Sequence, residues 1–214
     1  MNIGILGGTF DPPTLAHLWV VQQILEDEKA ADNGPVKERL DKVWMMPNTG
    51  SGCYGKKTKT PAGYRLEMCR LAVKDFFQGT YVLPEEIGWP FGLGMRSPVE
   101  VSDIEIANGF DYTYQLAEHL ERTQPNEKFH FIMGGDWDIS KFKEWERIAR
   151  VFEFIQIHRP RKGGKPPYID APQEIQFRMS SSAVRERASQ GKTIRGLVTP
   201  SVERFIQIND LYKE

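Results

Sequence analysis

Residues 2 to 6 run apolar without a break and stop at Gly7-Gly8, the pattern of a buried strand that ends in a tight turn. After Pro12-Pro13, the positions Leu15, Leu18, Trp19, Val21, Gln22 and Leu25 recur close to the period of an amphipathic helix. Val43 to Met46 forms a second apolar run, and Pro61 opens a helical pattern through Tyr64, Met68, Leu71 and Ala72. Further strands are predicted at Val99 to Ile106, Phe129 to Met133 and Phe152 to His158, with a helix between each neighbouring pair. This alternation predicts an α/β fold: a doubly wound, mostly parallel sheet with helices on both faces and ligands at the carboxyl ends of the strands.

Loops rich in Gly, Pro or Lys occupy 47 to 61, 84 to 98 and 160 to 172, lengths usual for functional segments. No internal repeat, low-complexity tract or convincing linker divides the chain, so residues 1 to 214 read as a single domain. A chain of that size buries roughly 70% of the surface its unfolded form exposes, enough for a true core.

Twenty-eight basic residues against 29 acidic ones leave a net charge of -1, which removes nucleic acid and anionic membranes as partners on bulk grounds. Cys53 and Cys69 are too few for a disulfide framework and lack zinc spacing, so both are expected as reduced thiols in a cytoplasmic protein. The first residues carry no leader pattern, and no apolar run approaches the ~20 residues of a membrane span.

The chemistry concentrates in three strings. Gly7-Gly8-Thr9-Phe10-Asp11-Pro12-Pro13-Thr14-Leu15-Ala16-His17 lies between the first strand and the first helix. Glycines there let backbone approach a ligand, and the following helix N-terminus favours negative charge. Thr14 either caps the helix or binds an oxygen. His17 falls in the first turn beside the same pocket, unless it is an ordinary surface histidine. The string lacks the G-x-G-x-x-G spacing of hydride-transferring enzymes.

Phe131-Ile132-Met133-Gly134-Gly135-Asp136-Trp137 runs from a strand into a glycine turn, where Asp136 either accepts hydrogen bonds from a ribose or caps a helix. Trp145 either stacks on an aromatic heterocycle or joins the core. Met179-Ser180-Ser181-Ser182-Ala183-Val184-Arg185 is a serine-capped helix start, with Arg185 one turn on and able to reach the same anion. Gly50 to Lys57 has the glycine and lysine spacing of a P-loop, but Lys57 stands where a magnesium-holding hydroxyl belongs and no helix follows. That leaves a loop carrying Lys56, Lys57 and Lys59, placed either near phosphates or in solvent.

With these strings, the chain resembles the nicotinate/nicotinamide mononucleotide adenylyltransferases of the nucleotidylyltransferase superfamily, which share a Rossmann-like fold. The likeness covers almost the whole chain: Gly8 to His17 and Met179 to Arg185 match the two signature strings. Met46-Pro47-Asn48, Tyr64 to Met68, Tyr112-Thr113, Gly134-Gly135-Asp136, Trp145 and Val202 to Tyr212 fall in the family's order. The resemblance implies a catalytic set of His17, Arg185 and Thr14, with His17 and Arg185 on the ATP phosphates. It implies ATP binding by Gly8, Thr9, Phe10, Gly134, Asp136, Ser180 and Ser181 as well, completed by a C-terminal helical part from about residue 179 to 214. Tyr112, Thr113 and Trp145 look like the positions that receive the pyridine ring, and Lys57 like a basic residue on the mononucleotide side.

The chain departs from the family's pattern at Thr14, where many bacterial members have histidine, and at Ala16, Met179 and Ser182, where glycine, isoleucine and threonine are usual. The stretch from 84 to 98 also exceeds the compact bacterial enzymes. The implied reaction is in-line attack by the mononucleotide phosphate on the α-phosphorus of ATP, forming the dinucleotide and pyrophosphate in NAD biosynthesis. A phosphate monoester with its second pKa at about 6 needs no general base, so positioning and charge stabilisation carry the catalysis. Mg2+ is expected with ATP, held by phosphate oxygens and water rather than by a protein metal site. The alternatives are another phosphorylated acceptor such as phosphopantetheine, a CTP-dependent transfer, or a silent nucleotide sensor. The partners expected are thus small molecules, with the chain either alone or as a homo-oligomer.

Overall fold

The short apolar runs become strands because each is too brief for a buried helix and is flanked by turn residues. The computed structural model describes residues 1–26, 40–52, 58–78, 98–134, 142–157 and 179–213. Five strands, β1 (Asn2–Gly8), β2 (Lys42–Pro47), β3 (Val99–Val101), β4 (Lys128–Gly134) and β5 (Phe152–Ile157), pair in parallel in the order β3-β2-β1-β4-β5. Between and after them come α1 (Leu15–Glu26), α2 (Ala62–Phe77), α3 (Ile104–Asn108), α4 (Thr113–Thr123), α5 (Trp145–Val151), α6 (Ser181–Ser189) and α7 (Pro200–Ile208).

Strand side chains alternate between two cores, as a period of two requires. Leu6, Val43, Met45 and Ile132 meet α1, α2, α6 and α7 through Leu18, Val21, Met68, Cys69, Val184 and Val202. Ile3, Ile5, Met46, Phe129 and Phe131 face the other way, toward Leu116 and Leu120 of α4 and Ile148 of α5. Each such side chain contributes roughly 1.5–3 kcal/mol when fully buried. The sheet is therefore wound on both faces, as the alternation of elements predicted.

Two features place the site. The strand order reverses between β1 and β4, which opens a crevice at their carboxyl ends. β1 itself continues through Gly7 and Gly8, two residues past the apolar run, and Gly8 pairs with Pro47.

The structure corrects two readings. The stretch expected as one strand from Val99 to Ile106 is a three-residue edge strand followed by α3. Ser102 ends the ladder by donating to the Met45 carbonyl, and Asp103 then begins the helix. Trp19, placed on the inner stripe of α1, is 54% exposed and meets Phe76 edge-on. Among the described residues, no helix is long and apolar enough to cross a membrane. Cys69 is buried, which pushes its thiol up from the ordinary value, whereas Cys53 lies outside the described residues.

Candidate active site

The loop after β1 and the start of α6 meet at the sheet's carboxyl edge. Ser181 Oγ donates to the Pro12 carbonyl at 2.7 Å, and Arg185 Nη1 donates to the Asp11 carbonyl at 2.5 Å. Leu15 N–H, opening α1, donates to the Leu197 carbonyl at 3.0 Å, so the chain after α6 also seats this loop. The two signature strings, 174 positions apart at Asp11 and Arg185, form one wall.

His17 is oriented by Thr14. The Thr14 N–H donates to His17 Nδ1 at 2.9 Å, and the Thr14 hydroxyl lies 2.9 Å from the same nitrogen. An Nδ1 that accepts from a backbone N–H leaves the ring proton of neutral histidine on Nε2, as a donor toward the far side of the ring. Thr14 is 1% exposed. It was expected within the catalytic set, but the structure gives it a different task, since its polar atoms are turned onto the histidine rather than outward. Phe10, expected at ATP, is likewise buried; its ring meets His17 edge-on with centroids 5.1 Å apart.

Four carbonyls of this loop, which would repel a phosphate, are paired with a donor. Arg65 Nη1 holds Thr9 O at 2.7 Å, Arg185 holds Asp11 O, Ser181 holds Pro12 O, and His17 N–H donates to Thr14 O at 3.0 Å. Gly8 is packed against the Phe10 ring, where a Cβ would come within 3.1 Å. Ser180, expected to bind ATP at its phosphates or its adenosine, caps α6 by accepting from Ala183 N–H at 3.2 Å.

Arg65 is the largest surprise. It is 0% exposed and donates through Nε to Thr60 O (3.2 Å), through Nη1 to Thr9 O (2.7 Å) and through Nη2 to Thr49 O (2.9 Å). Burial pulls its guanidinium below the ordinary value, while Asp11 first among its neighbours pulls it back. Gly50 is needed beside it: its φ is +80°, and a Cβ there would lie 2.8 Å from Arg65 Nη2.

On the other face, Tyr112 and Thr113 begin α4 and Trp145 begins α5, and these two helices pack together. Thr113 is buried. The Tyr112 ring stacks on Tyr114 at 5.9 Å and carries Lys143 Nζ 3.9 Å from its centroid. Trp145 is half-buried, 5.0 Å from Phe154 and 6.1 Å from Phe142, so the core reading of this residue holds for part of its ring. Thr49 Oγ1 donates to Asp111 Oδ1 at 2.7 Å and ties this side to the loop after β2. Burial, and then the charge of Asp111, push the Glu105 carboxyl up to about 7.

Gly134 ends β4 across the crevice from Gly8. Asp136, Gly135, Trp137, Lys56, Lys57 and most of the loops from 84 to 98 and 160 to 172 lie outside the described residues. Asp11, Arg65 and Tyr212, quoted from sequence only within their strings and without a role, enter the site together with Thr58 and Lys143, which were not singled out. Among the described residues no group of three His, Cys, Asp or Glu side chains could hold a metal ion.

The model of the cytidylyltransferase-like family matches residues 5–187. A protein of Shouchella clausii described as a probable nicotinate-nucleotide adenylyltransferase is 31% identical over 99% of this chain and 96% of its own length. A Geobacillus kaustophilus protein of the same description is 32% identical over 99% of this chain and 86% of its own. Among solved structures, the nicotinic acid mononucleotide adenylyltransferase of Plasmodium falciparum complexed with NaAD is similar with a TM-score of 0.62. It is 20% identical, with 99% of this chain and 97% of that one covered, a likeness of fold.

Proposed function

The chain belongs to the cytidylyltransferase-like family, among its nicotinate-nucleotide adenylyltransferases, and from that premise we propose how the crevice performs the family's transfer. The enzyme joins the adenylyl group of ATP to nicotinate mononucleotide, forming nicotinate adenine dinucleotide and pyrophosphate in NAD biosynthesis.

One observation carries the site assignment: the junction at which Arg185 and Ser181 of α6 grasp the carbonyls of Asp11 and Pro12 beside His17. The triphosphate lies between the α6 N-terminus and the N-terminus of α1. His17 Nε2–H and the Arg185 guanidinium meet its oxygens, and both retain charge on the departing pyrophosphate. Gly134 and Asp136 receive adenosine, while Tyr112, Thr113 and Trp145 receive the pyridine, with Lys57 near the reacting phosphates. The nucleophile is the mononucleotide phosphate, dianionic in most molecules above its second pKa of about 6, so no side chain has to take a proton.

Magnesium suits this donor set as a passenger on ATP. Asp11 is turned inward onto Tyr212 and Thr58, which leaves phosphate oxygens and water as ligands for the ion. When bound, it neutralises charge on the triphosphate.

The test is pyrophosphate release from ATP and Mg2+ with nicotinate mononucleotide, nicotinamide mononucleotide and phosphopantetheine supplied separately. Turnover is expected with nicotinate mononucleotide, and the ratio of kcat/KM values measures the preference over the amide. Turnover confined to phosphopantetheine, or ATP binding without release from any acceptor, would overturn the assignment.

A further inference from the structure

Tyr212 is 201 positions from Asp11, yet its hydroxyl donates to Asp11 Oδ1 at 2.6 Å. Thr58 donates to the other carboxylate oxygen, Oδ2. Arg185 Nη1, bound to the Asp11 carbonyl, lies 4.0 Å from that same Oδ2, outside hydrogen-bond reach. Arg185 Nη2 donates to Ser182 Oγ at 3.2 Å. Asp11 itself is 5% exposed.

The backbone takes an unusual path to bring the phenol there. Asp210 and Tyr212 both adopt left-handed conformations, with φ of 48° and 66°, which L-residues seldom occupy outside places where surrounding contacts fix them. The preceding helix α7 is anchored at its start, where the Ser201 N–H and hydroxyl both donate to Asp75 at 2.8 Å. Burial pushes the Tyr212 phenol above its ordinary value, and its bond to Asp11 adds to that, so it remains a donor throughout the neutral range.

A carboxylate beside a half-exposed arginine would normally close into a bidentate pair, the strongest geometry open to both. Here each carboxylate oxygen already accepts from a hydroxyl. The guanidinium is held by the Asp11 carbonyl and Ser182 Oγ and stands 4.0 Å from Oδ2, an ion pair that does not close into a hydrogen bond with the carboxylate. We propose that Tyr212 is a positioning residue for Arg185: by occupying the Asp11 carboxylate it keeps the guanidinium available to the ATP phosphates. This rests on the assignment of Arg185 to those phosphates.

The experiment titrates the intact protein with Mg-ATP by calorimetry and measures kcat/KM for ATP in parallel. Tyr212→Phe is expected to raise the ATP dissociation constant about tenfold, the equivalent of one charge-assisted hydrogen bond. Adding Asp11→Asn to Tyr212→Phe is expected to recover at least about threefold, because a neutral amide cannot sequester the guanidinium. In an Arg185→Met background, Tyr212→Phe is expected to cost less than about twofold, since the group it positions is gone.

A loss through packing alone would not be rescued by Asp11→Asn and would multiply with Arg185→Met. Either result, or wild-type affinity in Tyr212→Phe, overturns the proposal. Should Tyr212→Phe fail to fold, Thr58→Val removes the partner hydroxyl and carries the same expectations. Wild-type protein that binds ATP without adenylyl transfer would defeat the functional assignment while leaving this cycle decisive; wild-type protein that binds no ATP would defeat both.

Discussion

Replacing Arg65 with lysine conserves the charge and destroys the fork. The guanidinium serves the carbonyls of Thr9, Thr49 and Thr60 from three separate nitrogens, in a place fully closed to solvent. An ammonium is a compact group on a flexible stem and satisfies about one of these carbonyls well. Two buried acceptors are then left without donors, at roughly 1–3 kcal/mol each, and partial relaxation brings the expected loss to about 3 kcal/mol. Desolvation of the cation is common to both residues and largely cancels. For a chain of this length the loss corresponds to a fall in Tm of roughly 6–12 °C. Urea denaturation of wild type and Arg65→Lys, with m unchanged, gives the free energy directly. Activity should fall further than stability alone requires, because the Thr9 carbonyl belongs to the loop that holds His17, and misplacement by about 1 Å costs on the order of 100-fold in rate. A stability loss below about 1 kcal/mol would refute the claim that the fork is needed. A large stability loss with unchanged kcat would show that the loop keeps its shape without it.

Two further substitutions address other parts of the site. His17→Ala should lower kcat by about 100-fold or more while the protein stays folded, since the ring contributes a donor to the triphosphate; Tm should fall by roughly 2–12 °C, because the buried Thr14 N–H loses the Nδ1 acceptor and Phe10 an edge contact; near-wild-type turnover would remove His17 from the mechanism. Glu105 has a folded-state value of about 7 against an ordinary 4.5, so folding favours its protonated form. The stability it confers is complete below about 4.5 and is lost as pH rises through 7. Glu105→Gln should therefore gain on the order of 2–3 kcal/mol over wild type at pH 8 and little at pH 4, measured by urea denaturation at both values; an equal difference at the two pH values would contradict the assignment.

What was legible in the sequence was what obeys a period or a string. The parallel order followed from apolar runs alternating with helical stripes, and both cores appear where those runs placed them. Position 65 shows what a pattern conceals: Arg65 shares the inner face of α2 with Met68, Cys69 and Ala72, so a cation stands in an apolar stripe. Such a residue is a signal for a buried polar partner, but three of its partners are backbone carbonyls, which no sequence displays, and the fourth, Asn48 Oδ1, is reached only at 3.5 Å. Asp11 was quoted within its string without a role, because its partners Thr58, Arg185 and Tyr212 come from three distant segments. Trp19 failed for a related reason: helical spacing selects a face, and how far the neighbouring helix extends over that face depends on tertiary packing. Thr14 was read through its hydroxyl alone, whereas its N–H fixes the histidine.

The hydrogen bond between Tyr212 and Asp11 also bears on when the enzyme comes into existence. A ribosome that has made the whole of β1 and the glycine loop still has an unfinished phosphate site, since Ser181, Arg185 and Tyr212 are 169, 174 and 201 positions from their partners. Contacts so distant in sequence close late, after the loop entropy between them has been overcome. Partly synthesised chains can thus pair strands and bury apolar surface well before they present an organised anion site, which delays nucleotide binding until the sheet and its last helix are together.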